Sequence, residues 1–298
     1  MKAALDRIEP WTATGVGSLP FTDPVLAASH ACVEYELPFC PQLPRLDGDM
    51  IAEWLGADPG RCGWSPDRDR ERPHAWDAFL RQMEGRHPPN GLVKLQATGP
   101  VTLALALEGE RGARPARART LELAGELSTW LAGNLMGQIA TLAELGLSTL
   151  LVTDEPALAR FGTDERTARV WDPLRGIAAA WGLHLCCEVP WSLVDSVEPD
   201  LLSFDLHVEP LTRRSSPILD RLIARGGAIA WGAVSTAGPE LPSQAVSRLR
   251  DALAYVPAAR DRCLLTASCG TGLLPPAHEY AIAASLTAVA REMRRERA

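Results

Sequence analysis

Eight short apolar runs alternating with helix-like segments over 298 residues predict an α/β chain closed into a single (β/α)8 TIM barrel spanning residues 1–298. Two further observations support this class. The chain is 46% apolar and 22% charged, enough for one large core. Its polar candidates also gather at the C-terminal ends of the runs, where such barrels place their sites. A doubly wound dinucleotide-binding sheet fits less well, because Gly15-Val16-Gly17-Ser18-Leu19-Pro20 lacks the third glycine of a phosphate-binding turn and ends in proline.

In chain order the predicted strands are 13–19, 32–43, 92–97, 149–153, 183–189, 201–206, 228–234 and 263–268. Between the third and fourth, residues 120–146 carry Leu121, Leu127, Leu131, Leu135, Ile139 and Leu142, a helical stripe built on three- and four-residue spacings. Residues 217–226 and 241–255 read similarly, and an Ala-rich helix over 277–295 closes the chain. Between the second and third strands lies a long excursion at about 57–90, rich in Arg, Asp, Pro and Gly, which suits either a lid or a solvated insert.

Composition narrows the function classes. The N-terminus has no uninterrupted hydrophobic segment and no run of 18 apolar residues occurs, so a cytoplasmic protein without a membrane partner is expected. The net charge is −7, and acids or small residues break the basic clusters at 68–72 and 111–119, so nucleic acid is not the expected partner. Seven cysteines, an odd count, argue against a disulfide scaffold.

The chemistry concentrates around Leu183-His184-Leu185-Cys186-Cys187-Glu188. On a strand, His184 and Cys186 share a face about 7 Å apart along the backbone, a spacing suited to chelation. Cys269 ends another apolar run, and Asp205 is an acid inside one, costly to bury without a partner. Imidazole, thiolate and carboxylate together are a zinc donor set. His207 and Glu209 form a rival pair for the oxygen ligand, whereas Cys32, Cys40, Cys62, Cys187 and Cys263 read as buried or incidental thiols. Ser18, Thr98, Asp154 and Glu155 also stand at run ends. Asp154 and Glu155 are candidate catalytic acids, but neighbours on a strand face opposite ways, so they do not form a glycosidase pair, and Glu155 is equally suited to capping a helix.

Gly17-Ser18-Leu19-Pro20, Asp49-Met50 with Glu53-Trp54-Leu55-Gly56, Thr98-Gly99-Pro100-Val101-Thr102, Asp154-Glu155-Pro156-Ala157-Leu158, His184-Leu185-Cys186-Cys187-Glu188 and Ser268-Cys269-Gly270 occur in one order along the chain. In that order the sequence resembles the C-terminal catalytic barrel of cobalamin-independent methionine synthase, and most of all the stand-alone, single-barrel members of that superfamily. The resemblance implies a zinc-dependent methyltransferase acting on a thiol, with His184, Cys186, Asp205 and Cys269 holding Zn(2+) and Asp205 standing where the family has glutamate. It further implies that Ser18 and Asp154, at a mouth shared with Thr98, face the amino-acid part of a homocysteine-like substrate. Two departures leave acceptor and donor open. No acid precedes Asp49-Met50 at the family's place, and the seventh strand continues Gly232-Ala233-Val234-Ser235-Thr236 without the family's Asp and His pair. The methyl donor is therefore methyltetrahydrofolate or methylcobalamin, the latter free or on a partner corrinoid protein. The alternatives are a metal-free decarboxylase resembling uroporphyrinogen decarboxylase, whose arginine-rich N-terminal segment is missing from 13–24, and a non-catalytic corrinoid- or thiol-binding barrel.

Overall fold

The computed structural model describes residues 2–56, 65, 73–109, 117–160 and 165–296. Its strands are β1 (Thr12–Ala13), β2 (Leu92–Thr98), β3 (Ser148–Asp154), β4 (Ala180–Leu185), β5 (Leu201–Asp205), β6 (Ala228–Val234) and β7 (Cys263–Ala267). All pair in parallel, in the order β1-β7-β6-β5-β4-β3-β2, and the sheet curls into a TIM-barrel fold. The longer helices are α1 (Pro24–Val33), α2 (Trp76–Gly85), α3 (Pro100–Gly109), α4 (Arg117–Glu144), α5 (Trp191–Val197), α6 (Ser216–Ala224), α7 (Pro242–Tyr255) and α8 (Pro276–Arg295). The helices expected over 120–146, 217–226, 241–255 and 277–295 are thus present with small shifts at their ends. No helix among the described residues is long and apolar enough to cross a membrane.

The expected second strand is the element that differs most. Residues 32–33 belong to the end of α1, and the following segment bridges the sheet edges only at Ser18 with Gln42 and Phe39 with Lys94. It still lies between β1 and β2. The Leu37 N–H donates to Ala13 O and the Gln42 N–H to Gly17 O, while on the other side Lys94 N–H donates to Pro38 O and Cys40 N–H to Lys94 O. Pro38 and Pro41 have no N–H to give, so the ladder is interrupted and the closure is made by isolated bridges. Gly15 makes room for the closing residue, since a Cβ there would sit 2.2 Å from the Phe39 ring. The first strand is correspondingly short, ending at Ala13 rather than at Leu19. Of the expected excursion, 57–64 and 66–72 lie outside the described residues, and α2 packs on α1.

The barrel interior is graded from bottom to top. At the N-terminal end Leu92, Leu150, Ala180, Leu201, Ala228 and Leu264 form an apolar layer, sealed from below by Ala4 and Leu5 of a 3-10 turn over Lys2–Arg7. Above it the inward positions turn polar: Lys94, Gln96, Thr98, Asp154, His184 and Ser203 are all buried. A closed, apolar bottom confines any chemistry to the top. Outside the strands a larger apolar cluster holds the helices, with Trp171, Trp181 and Trp231 fully buried.

The two chain ends meet beside β1. Arg294 of α8 clasps Glu36 through two hydrogen bonds of 2.7 and 2.8 Å, and Glu36 Oε2 also accepts the Ala13 N–H. Burial pushes the Glu36 carboxyl up, but these donors outweigh it and hold the group below its ordinary value. Its stabilisation is therefore complete above the ordinary glutamate pKa near ~4.3 and is lost as pH falls through the lowered folded value. Because the pair is partly exposed, Glu36→Gln is expected to cost no more than about 1 kcal/mol at pH 7. Denaturant titrations at pH 7 and pH 3 check this: the difference from wild type should be present at the first and smaller at the second.

Candidate metal centre at the barrel mouth

His184, Cys186 and Cys269 converge at the C-terminal ends of β4 and β7, with one ring nitrogen and the two sulfurs all within 4.8 Å of one another. β4 stops at Leu185, earlier than expected, so Cys186 lies in the bend just past the strand and not on it. The ring of His184 is fixed from behind by Ser203 on β5, whose Oγ is 2.8 Å from Nδ1. Nε2 is buried on the side of the sulfurs, with only the weakly hydrogen-bonding Cys269 thiol beside it. A buried imidazole nitrogen so weakly paired beside two thiols is costly unless something electrophilic occupies the space between them. The three donors fit zinc: the set is one nitrogen and two sulfurs, the ring is oriented by a neighbour at its other nitrogen, and the two thiols remain partly exposed.

Each cysteine is held by its loop. Ser268, before Cys269, accepts the Thr236 N–H at 3.1 Å, and Gly272, after it, donates its N–H to Ser18 Oγ at 3.2 Å. The Ser18 carbonyl accepts from both Thr271 N–H and Thr271 Oγ1. A Cβ at Gly270 would stand 2.1 Å from Ser18 Oγ, so glycine is needed for this close approach. On the other side, Glu209 accepts Val189 N–H at 3.2 Å and Trp191 Nε1–H at 2.9 Å, bracing the chain after Cys186. The hydrogen bond from Cys186, and after it the one with His184, lowers the Cys269 pKa, while the bond to Cys269 and burial push the Cys186 thiol up.

The predicted oxygen ligands stand differently. Asp205 ends β5 but does not join the group whose donors all lie within 4.8 Å; its Oδ1 accepts the His207 N–H at 2.8 Å in a tight turn. Burial first, and then the charge of Cys269, raise its pKa against the lowering influence of His207 and the Val208 N–H, so it remains in the electrostatic field of Cys269. His207 Nε2 faces Glu240 at 3.9 Å, and both oxygens of Glu209 are used by the loop, so neither member of the rival pair enters the cluster. None of the described cysteines is in a disulfide; Cys62 lies outside the described residues.

Asp154 and Glu155 part company as strand geometry requires. Asp154 points into the barrel level with His184, and Gln96 Nε2–H donates to its Oδ1. Burial raises its pKa to about 6 against the lowering influence of His184 and Lys94. Glu155 points outward, is fully buried, and caps α3: it accepts Val101 N–H, Thr102 N–H, Thr102 Oγ1–H and Trp171 Nε1–H at 2.7–3.1 Å. Burial raises its pKa to about 7 despite those four donors. Its geometry is that of a cap on α3, the helix that follows β2, not of an acid at the mouth. Thr98 Oγ1 donates to Met50 O at 2.6 Å, tying the Asp49-Met50 segment to the end of β2.

Lys94, Gln96 and Ser203 were absent from the candidate list. Their signal is present in Leu92-Val93-Lys94-Leu95-Gln96-Ala97-Thr98, where polar residues alternate along an otherwise apolar strand, and in the serine inside Leu201-Leu202-Ser203-Phe204. Lys94 Nζ–H donates to Val16 O at 2.6 Å and to Gln96 Oε1, and burial pulls its pKa down to about 7.

No protein-family model matches the sequence, and a search of curated proteins finds no match. Among solved structures, the fold is similar to a methyltransferase from Methanosarcina mazei, with TM-score 0.61 and 15% identity over 98% of this chain and 97% of that one. It is also similar to a B12-independent methionine synthase from Shewanella sp. W3-18-1, solved with selenomethionine, with TM-score 0.53 and 21% identity over 76% of this chain and 69% of that one. At these identities the common property is the barrel fold.

Removing the Glu155 cap leaves four buried donors unpaired. Glu155→Ala is expected to lower stability by about 3 kcal/mol or more, and Glu155→Gln, which keeps one acceptor oxygen, by less. Chemical denaturation of both variants against wild type measures the difference.

Proposed function

We propose that the protein is a zinc-dependent methyltransferase that methylates a small thiol, homocysteine or a close relative. The convergence of His184, Cys186 and Cys269 within 4.8 Å at the mouth of the barrel carries this reading. These three side chains would hold the metal, and Asp205 is the nearby acid suited to a fourth, exchangeable position. Zinc there supplies a Lewis acid that keeps an acceptor thiol deprotonated at neutral pH, where a free thiol with pKa near ~8.5 is mostly protonated.

The protein's own residues orient the acceptor. Asp154, buried and level with His184, accepts from a substrate ammonium group. Ser18 uses its oxygen to hold Gly272, which leaves its hydroxyl proton to donate to a substrate carboxylate. Thr98, whose proton is spent on Met50, shapes the wall, and Glu155 keeps β3 and α3 in place. In the transfer an S–CH3 bond forms as the donor's N–CH3 or Co–CH3 bond breaks; the bond's electron pair stays on the folate nitrogen, which takes a proton from solvent, or on the corrinoid cobalt, and the thiol proton passes to solvent. Methyltetrahydrofolate and methylcobalamin are the two donor classes, the second delivered free or by a corrinoid protein.

Elemental analysis of protein purified without added metal provides the test. Wild type should carry about one zinc per chain, and Cys186→Ala and Cys269→Ala essentially none, whereas Asp205→Ala should retain zinc but yield it to a chelator about 10- to 100-fold more readily. Wild type should then methylate homocysteine with one of the two donors. Protein that binds no zinc, or that binds it equally well without either cysteine, contradicts the proposal.

A further inference from the structure

We infer that Lys94 and Gln96 are positioning residues that set which oxygen of Asp154 faces the acceptor, and so govern selection of thiols that carry an ammonium group. The inference rests on the acceptor reading above and concerns two residues whose burial the reading does not otherwise explain. A lysine ammonium only donates, and Lys94 Nζ–H is directed at both Val16 O and the Gln96 side chain. With the lysine charged, the Gln96 atom facing it is Oε1, which is the orientation that the structure records. Nε2 is then obliged to face Asp154, where its N–H donates to Oδ1. With Oδ1 engaged by Gln96, Oδ2 is the oxygen left to face a cationic ligand.

Both ends of the chain are anchored. Lys94 is buried in β2, its ammonium 5.5 Å from the centre of the Phe39 ring, and its second bond fixes Val16, two residues before Ser18. One buried cation thus joins the loop that carries Ser18 to the side chain that orients Asp154. Gly17 lies against the same amide: a Cβ there would come within 2.8 Å of Gln96 Cγ, so the loop closes over Gln96 and restricts its rotation. An apolar residue at 96 would pack equally well in the barrel but would carry no orientation from Lys94 to Asp154.

The test compares binding of homocysteine with binding of 4-mercaptobutanoate, the same thiol acid without the amine, to zinc-loaded protein by titration calorimetry. The variants are Gln96→Met and, to avoid an unpaired lysine, Lys94→Met combined with Gln96→Met. Wild type should prefer homocysteine, and both variants should lose about 10-fold of that preference through homocysteine alone, with zinc content and 4-mercaptobutanoate binding unchanged. A wild-type preference that survives in both variants overturns the inference and leaves the acceptor reading standing. Equal binding of the two thiols by wild type overturns amine recognition by Asp154, and the inference with it.

Discussion

Two thiols and an imidazole nitrogen forced within 4.8 Å of one another constitute the interaction on which the rest of this structure depends. Left alone, the arrangement is unfavourable: the buried imidazole nitrogen has only a weakly hydrogen-bonding thiol beside it, and two neighbouring thiolates repel. Much of the upper barrel serves to hold these groups against that cost. Ser203 fixes the ring, Ser18 and Thr236 fix the loop of Cys269, and Glu209 braces the chain beyond Cys186. A cation that takes all three donors at once resolves the frustration, and for that reason the site reads as a metal centre and not as a packed core.

Beneath it lies a second constraint. An inward-facing polar layer can be buried only if its members satisfy one another, and here Lys94, Gln96 and Asp154 do so in sequence across β2 and β3. The apolar floor below, closed by Ala4 and Leu5, separates this layer from solvent at the bottom. Stability and site chemistry are consequently divided between the two ends of the barrel. The Arg294–Glu36 clasp and the Glu155 cap act on the frame, and the polar layer acts on the mouth.

The alternation of strands and helices was legible because parallel strands buried on both faces are continuous apolar runs. Run ends point to His184, Cys186, Asp154 and Cys269, and the structure places these residues at or just past the ends of β3, β4 and β7. The second strand was misread because Leu37-Pro38-Phe39-Cys40-Pro41 is apolar enough to resemble a strand while its prolines deny it a regular ladder. Asp205 and Glu155 show a different limit. Both are buried acids at strand ends, but whether such an acid reaches the mouth, turns into its own loop or caps a neighbouring helix depends on which donors the fold offers it: Thr102 and Trp171 from other segments for Glu155, and the adjacent 207 turn for Asp205. Lys94 was hidden for the opposite reason, since a lone lysine in an apolar strand gains meaning only once the barrel brings Val16 and Gln96 to it.

X-ray absorption at the zinc edge, on metal-loaded protein with and without homocysteine, tests the central claim most directly. The account predicts two sulfur neighbours at about 2.3 Å in the protein alone and three once the thiol is added. A sulfur count that stays at two with homocysteine present, or zinc with no sulfur neighbour at all, would contradict it.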